Sequence, residues 1–350
     1  MGKRIVFVGT GALGGYTGGH LSRAGHDVTL IDPWPEHVER MRSHGLELSG
    51  LTPEERHVVK VNALHVNDVQ SFCRGRPVDI AFISTKSYDT EWATLLIRQY
   101  LAPDGYLVSL QNSINEDRIA AHAGWGKVLG CIASLVAVDL YEPGRVKRTV
   151  PLGGKQHVVY RVGEVHGRVT KRAEEVAELL TAADSSKVTT NLWGERWSKL
   201  VVNSMRNGLS AATGMSGNQR DLDPQARSVS IRLGAQAVRV GQALGYPLES
   251  MLGMQPETLA RAGEGNADAL AEITDILVTN ARKRSDEQRP SMAQDMIKGR
   301  RTETDHINGL VAARGAEIGV PAPLHARMNE AVKRVERGEA VASPAVVAGW

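Results

Sequence analysis

The chain has 350 residues, 42% of them hydrophobic and 23% charged, a globular composition that excludes wholesale disorder. Its length exceeds one ordinary domain and suggests two. Forty-two Lys and Arg against 39 Asp and Glu leave a formal net charge of +3, too balanced to support a nucleic-acid partner.

Ile5-Val6-Phe7-Val8 is a short, wholly apolar run, the pattern of a strand buried on both faces of a parallel sheet. Gly9-Thr10-Gly11-Ala12-Leu13-Gly14 follows; a helix is then predicted over Tyr16–Ala24, closed by Gly25, and a second strand over Asp27–Ile31. Strand, glycine turn, helix and strand fit within about 30 residues, the size of one βαβ unit. The alternation continues with strands over Val78–Ser84, Tyr106–Leu110, Val128–Val138 and Val158–Val162 and helices over Asp89–Gln99 and Lys171–Ala183. From about Trp193 the strand signals stop. Helical periodicity runs through Glu195–Ala212, Pro224–Leu244, Asn266–Arg282, Thr302–Ile318 and Arg327–Arg337, and the tail from Gly338 reads as a frayed surface segment. The predicted α/β architecture is a Rossmann-type doubly wound parallel sheet over residues 1–190 and an all-α domain over 191–350.

The glycine turn follows a buried strand and opens a helix, the context that a dinucleotide-binding G-x-G-x-x-G requires. Gly9 permits the tight turn, Gly11 lets backbone approach a pyrophosphate, Gly14 lets helix pack on strand, and the amides around Ala12 and Leu13 face the phosphates. Asp32 ends the second strand, where an acidic residue bonds the adenine-ribose hydroxyls; the competing reading is a capping or loop aspartate. Trp34 fits equally over the adenine or in a surface loop.

In the second half, Lys199, Asn203 and Asn207 recur at spacings of four and share a helix face. An ammonium and two carboxamides are poor core material, so that face is either solvated or a site. Trp193 and Trp197 just upstream indicate a closely packed helix. The polar segments Arg289–Asp295 and Gly299–Gly309 read, on pattern alone, as exposed helix starts capped by Ser291 or Thr302. The eleven histidines show no metal-ligand spacing, so no metal is expected and most are assigned to the surface. Cys73 and Cys131 cannot form a disulfide framework and are expected as small buried or half-buried residues in a reducing compartment. No apolar run approaches the roughly 18 residues that span a bilayer, and the apolar run after Lys3-Arg4 is too short for a signal core. The expectation is a cytoplasmic protein with no membrane partner.

Five ordered blocks, GTGALGG, FISTKSYDT, SLQNSINED, WSKLVVNSMRNGLSA and RPSMAQDMIKGRRTETDHING, make the chain resemble the ketopantoate reductase (2-dehydropantoate 2-reductase) family over nearly its whole length. The resemblance implies a Rossmann domain, a helical second domain carrying substrate and dimer contacts, and a site in the cleft between them. By position, Lys199 matches the general-acid lysine and Glu303 the glutamate that binds substrate and helps hold that lysine. Asn203, Asn207 and Ser291 match substrate-binding positions, and Lys86 and Asn112 match residues beside the nicotinamide and its ribose. Asp295 and Asp305 fall in matched blocks and are assigned to structural hydrogen bonds. The partner implied is a small 2-oxo or 2-hydroxy acid, and the family is compatible with a homodimer.

The chain departs from the family in two places. Many members prefer NADPH and carry a basic residue after the second strand, where this chain reads Asp32-Pro33-Trp34-Pro35-Glu36. NAD(H) is therefore expected over NADP(H). The family's Gln-Asn-Gly is here Gln111-Asn112-Ser113. The leading reading is an NAD(H)-dependent reductase of 2-dehydropantoate or a similar 2-oxo acid. The alternatives are a catabolic dehydrogenase of another branched or aromatic 2-hydroxy acid, mandelate-like, and a non-catalytic NAD-binding sensor or scaffold. Intact Lys199 and Glu303 count against the last.

Overall fold

A computed structural model describes residues 2–283 and 289–350. The chain divides into two compact units, Met1–Leu192 and Trp193–Trp350. In chain order the first unit contains β1 (Arg4–Val8), α1 (Ala12–Arg23), β2 (Asp27–Asp32), α2 (Pro35–His44), β3 (Leu46–Ser49), β4 (His57–Val59), β5 (Asn62–His65), β6 (Val78–Ile83), α3 (Thr90–Arg98), β7 (Leu101–Ser109), α4 (Glu116–Ala123), β8 (Val128–Ala133), β9 (Val138–Glu142), β10 (Arg145–Arg148), β11 (Tyr160–Glu164), α5 (Lys171–Leu180) and β12 (Ser186–Thr189).

Eight strands form one sheet in the order β12-β11-β8-β7-β6-β1-β2-β5. The six from β8 to β5 are parallel, and β11 joins antiparallel to β8. Ile5, Val6, Phe7 and Val8 are all fully buried, as a wholly apolar central strand demands. The chain leaves β1 toward β2 on one side and resumes with β6 on the other, so the carboxyl end of β1 is a topological switch point, where doubly wound folds bind ligands.

A second, four-stranded sheet of order β4-β3-β10-β9 was not anticipated. The predicted strand Val128–Val138 is in fact split between the two sheets: β8 ends at Ala133, and the chain turns through Leu135, at φ 56, before β9 starts in the small sheet. Helix α1 lies against β1 and β2 on one side and β3, β9 and β10 on the other. Two glycine columns make this contact close. A Cβ on Gly18 would sit 2.6 Å from Leu30 of the large sheet, and one on Gly19 would sit 2.8 Å from Leu46 of the small sheet.

The second unit is helical, with one isolated bridge, Met251 to Met254, among its described residues. Its helices are α6 (Leu192–Thr213), α7 (Gly217–Leu222), α8 (Pro224–Ala243), α9 (Pro256–Gly263), α10 (Ala267–Arg282), α11 (Ser291–Ile297), α12 (Thr304–Glu317) and α13 (Pro323–Glu336). Asp223 caps α8, accepting from the Ala226 amide at 2.8 Å with Pro224 at the first helical position. Trp197 is buried on α8, donating from Nε1 to the Ala237 carbonyl at 2.8 Å. The tail is docked rather than frayed: Ser343 donates its amide to the Ala212 carbonyl, Val347 is buried, and the Arg327 guanidinium lies 4.2 Å from the Trp350 ring centroid. Its apolar and aromatic ends, Val347 and Trp350, outweigh the weak pattern between them.

Of the eleven histidines, most of them expected at the surface, His37 and His325 are fully buried, and Cys73, expected at least half-buried, is exposed. His325 links three helices to its own: Nε2 donates to the Leu233 carbonyl of α8 at 2.8 Å, Nδ1 meets the Asn308 carboxamide of α12 at 3.1 Å, and Asn308 donates to the Ser204 carbonyl of α6 at 2.8 Å. Burial holds the His325 pKa down to about 4, although the bond to Leu233 opposes the shift. Between pH 6.5 and about 4 the unfolded chain therefore binds a proton that native His325 does not. Its contribution is present above pH 6.5 and is lost as the pH falls, at up to about 1.4 kcal/mol per pH unit. Urea unfolding at stepped pH should show that slope flattened by up to this amount in His325→Gln. An unchanged slope would mean that His325 titrates normally.

Candidate functional site

In the first unit the candidate residues gather at the carboxyl ends of β7, β6, β1 and β2, which are neighbours in the sheet. Gly9 leaves β1 at φ 89, and a Cβ there would lie 2.7 Å from the Thr85 amide nitrogen, so both conformation and space require glycine. Gly14 is required by space alone, its Cβ position 2.2 Å from the Gly9 carbonyl oxygen. Gly11 differs: nothing lies within 4 Å of its Cβ position. The fold does not need glycine there, whereas a ligand approaching the backbone does. Gly11 begins α1 with no side-chain cap, and the first turn, Ala12 and Leu13 included, carries no acidic residue, so no side chain competes with an anion at these amides.

Asp32 is buried to 8% exposure. Its Oδ2 accepts from the Thr10 amide at 2.8 Å and the Thr10 hydroxyl at 3.1 Å, and its Oδ1 accepts from the Trp34 amide at 3.0 Å. The strand-end carboxylate thus ties the glycine loop to the start of α2. Three bonds against about four lone-pair sites leave one acceptor position, on Oδ1. Trp34 stacks on His37, with ring centroids 5.7 Å apart.

His37 carried no signal in the sequence. Its Nδ1 accepts from the Gly144 amide at 2.8 Å, so its Nε2 bears the hydrogen and donates to the Thr10 carbonyl at 2.9 Å. Other supporting residues were given no role in the sequence reading, although Gln111 and Asn115 lie in one of its matched blocks. Gln111 Nε2 donates to the Thr85 carbonyl and the Thr90 hydroxyl, both at 3.0 Å. Asn115 Nδ2 donates to the Asn112 carbonyl at 2.8 Å, and Arg118 reaches the Ser87 carbonyl at 2.5 Å. These bonds stitch the loop after β6, which carries Lys86, to the loop after β7, which carries Asn112. Both Lys86 and Asn112 remain partly exposed.

In the second unit, Lys199 and Asn203 lie on α6 and are partly exposed, whereas Asn207 is buried to 7% exposure. The spacing of four drifts about 40° per step on a 3.6-residue helix, so the third member has turned into the packed side. Glu303 is buried and precedes α12, whose Asn308 bonds α6 at Ser204. Ser291, the first residue of α11, is partly exposed. Asp305 is structural: burial pushes its pKa up, but Lys333 at 2.5 Å and Asn329 at 3.0 Å outweigh that and hold it below the usual carboxylate range. Among the described residues no His, Cys, Asp and Glu cluster could hold a metal, and no helix is long and apolar enough to cross a membrane.

The profile of ketopantoate reductase PanE/ApbA matches residues 5–159, and that of its C-terminal domain matches residues 191–336. The 2-dehydropantoate 2-reductase of Archaeoglobus fulgidus is 28% identical over 346 residues, covering 96% of this chain and 99% of its own. A PanE/ApbA family ketopantoate reductase from Ralstonia eutropha JMP134 superposes with a TM-score of 0.76 at 27% identity, covering 96% of this chain and 99% of its own. D-mandelate dehydrogenase, solved with NADH and anilino(oxo)acetate, superposes with a TM-score of 0.78 over 95% of this chain and 98% of its own; at 22% identity it shows the fold alone.

Ser113 lies at φ 68 and is buried, a left-handed conformation that costs a non-glycine residue about 1–3 kcal/mol. Ser113→Gly should leave stability equal or higher, while the β-branched Ser113→Val should lower it by about 2 kcal/mol or more. Urea midpoints decide this, and a Val variant as stable as the parent would show that the loop relaxes out of the left-handed region.

Proposed function

Because the chain belongs to the ketopantoate reductase family, we propose that it is an NAD(H)-dependent oxidoreductase moving a hydride between nicotinamide and a 2-oxo or 2-hydroxy acid such as 2-dehydropantoate. The observation that carries the reading is on α6: Lys199 and, one turn on, Asn203 stay partly exposed, with Val202 and Arg206, in a stretch from 196 to 213 whose other positions are buried. In this reading the amides of Gly11, Ala12 and Leu13 hold the pyrophosphate, with Gly9, Thr10 and Gly14 shaping the loop. Asp32 takes the adenine ribose, and Lys86 and Asn112 lie beside the nicotinamide and its ribose. The nicotinamide, when bound, supplies or accepts the hydride. Lys199 hydrogen-bonds the carbonyl oxygen and gives it a proton as the alcohol forms. Asn203, Asn207 and Ser291 offer neutral donors to carboxylate and hydroxyl oxygens, and Glu303 holds the lysine and the substrate.

Asp32 supports NAD(H). A ribose hydroxyl donating to its carboxylate makes a charge-assisted bond worth about 1.5–3 kcal/mol. NADPH puts a phosphate of about −1.5 to −2 charges there instead. Pro33 has no N–H to offer that phosphate, and the Trp34 N–H is already given to Asp32. This preference also favours a second reading, oxidation of a 2-hydroxy acid such as a mandelate, because cells usually keep the NAD pool oxidised.

A panel of 2-oxo and 2-hydroxy acids, followed by NADH absorbance in both directions, tests the substrate class. Lys199→Ala should lower turnover by about 10²–10⁴-fold with little change in NADH affinity. Near-normal turnover would remove Lys199 from the mechanism and revive the non-catalytic reading. Glu303→Gln should weaken turnover and substrate binding together. NADH should exceed NADPH by at least about tenfold in kcat/KM, and Asp32→Ser should erode that preference mainly by weakening NADH. Equal use of NADPH by the parent enzyme would show that Asp32 serves the glycine loop alone.

A further inference from the structure

The carbonyl of Thr10 stands just outside α1. Gly11 is the N-cap, and its carbonyl accepts the first helical bond, from the Gly15 amide at 2.8 Å. The Thr10 carbonyl lies one residue too early for a donor from the helix. Thr10 is fully buried, so that carbonyl needs a partner from elsewhere in the fold. His37, in the first turn of α2, supplies it by donating from Nε2 at 2.9 Å.

The small sheet sets the direction of that donation. Gly144, in the turn between β9 and β10, gives its amide to His37 Nδ1 at 2.8 Å, and its carbonyl accepts from the Glu47 amide of β3, also at 2.8 Å. An imidazole that accepts at Nδ1 carries its hydrogen on Nε2. Gly144 lies at φ 71, and a Cβ there would run into the Arg40 side chain of α2, so only glycine closes this turn against the helix that carries His37.

One peptide unit carries the effect into the loop. The Thr10 carbonyl and the Gly11 N–H share a planar trans peptide and point in opposite directions. Holding the carbonyl on His37 therefore turns the Gly11 N–H away from the imidazole. Among the described residues that N–H has no acceptor, and nothing lies within 4 Å of the Gly11 Cβ position. The Thr10 amide and hydroxyl are held on Asp32, so the residue before Gly11 has no freedom to rotate while both holds last.

We propose that His37 is a positioning residue for the dinucleotide: by holding the Thr10 carbonyl it presets the Gly11 amide for the pyrophosphate, and it ties that setting to the turn between β9 and β10. This rests on the reading of the glycine loop given above. His37 acts through the Thr10–Gly11 peptide, and its contribution is a loop that loses less entropy when the ligand binds.

The test separates the two ring nitrogens. In His37→Gln the carboxamide nitrogen falls near the place of Nε2 and still reaches Thr10. In His37→Asn the carboxamide oxygen falls near the place of Nδ1 and serves Gly144 only. On the full chain, NADH affinity is read by fluorescence and ADP-ribose affinity by displacement of NADH, beside urea midpoints for each variant. ADP-ribose carries the pyrophosphate and adenosine without the nicotinamide. His37→Asn should weaken both ligands by about 3- to 10-fold, the span of one neutral hydrogen bond. His37→Gln should stay within about twofold of the parent in affinity, although losing the Gly144 bond lowers its urea midpoint. Should the Asn variant not fold, His37→Leu, which fills the site with neither nitrogen, is held to the same expectation. A merely structural role would lower the midpoints and leave both dissociation constants of the folded variants unchanged. That result, or a Gln variant weakened as much as the Asn variant, overturns the proposal while leaving the dinucleotide reading intact. A parent from which ADP-ribose fails to displace NADH, or that binds neither, would overturn both.

Discussion

A helix with a sheet against each side has no room for side chains on two of its faces, and much of the first unit follows from that constraint. In α1, Gly14 and Gly18 approach the large sheet, and Gly15 and Gly19 approach the small one, with Val146 3.3 Å from the Gly15 Cβ position. Four glycines in one helix cost about 0.5–1 kcal/mol each in backbone entropy relative to alanine. That cost is offset by burial on both sides, where Phe7, Leu30, Leu46, Leu48 and Val146 are fully covered. The consequence for function is positional: a helix wedged this firmly keeps its N-terminal amides at one place on the carboxyl edge of the sheet.

The loop leading into that helix is restrained as strictly. Thr10 has all three of its polar groups engaged: amide and hydroxyl on Asp32, carbonyl on His37. His37 in turn accepts from Gly144, in the turn between β9 and β10. The small sheet therefore reaches the glycine loop twice, by packing on α1 and through one imidazole. A loop ordered before its ligand arrives loses less entropy on binding, so these bonds favour affinity without touching the dinucleotide. Asp32 shows why a strand-end carboxylate resists a single label, since it is loop staple and candidate ribose acceptor together.

What the sequence made legible was the part governed by local period and by glycine. The apolar run of β1, the glycine turn, the alternation through α5 and the loss of strand signals after Trp193 each depend on residues close in the chain. The small sheet was illegible because its pairings are distant: β3 pairs with β10 almost a hundred residues later, and β4 has three residues. The docked tail was missed because Val347 and Trp350 are isolated apolar residues among small ones. For the candidate site, the motif residues could be named because they recur in recognisable blocks. The supporting roles of His37 and Arg118, outside those blocks, and of Gln111 and Asn115, inside one, could not be read, because a hydrogen bond between two loops leaves no periodic trace.

The α6 stripe shows how a small error of period changes a site. Counting by fours joins Lys199, Asn203 and Asn207, yet an α-helix repeats every 3.6 residues, and over eight residues the discrepancy reaches about 80°. Whether that matters depends on how firmly the helix is held against rotation. Here it is held by two helices: Trp197 donates to the Ala237 carbonyl of α8, Ser230 of α8 donates to the Met205 carbonyl at 3.0 Å, and Asn308 of α12 donates to the Ser204 carbonyl. With these contacts in place the helix cannot rotate without breaking buried hydrogen bonds, each of which would leave a polar group unsatisfied. The helix orientation that leaves Lys199 and Asn203 partly exposed is thus fixed by its packing on α8 and α12.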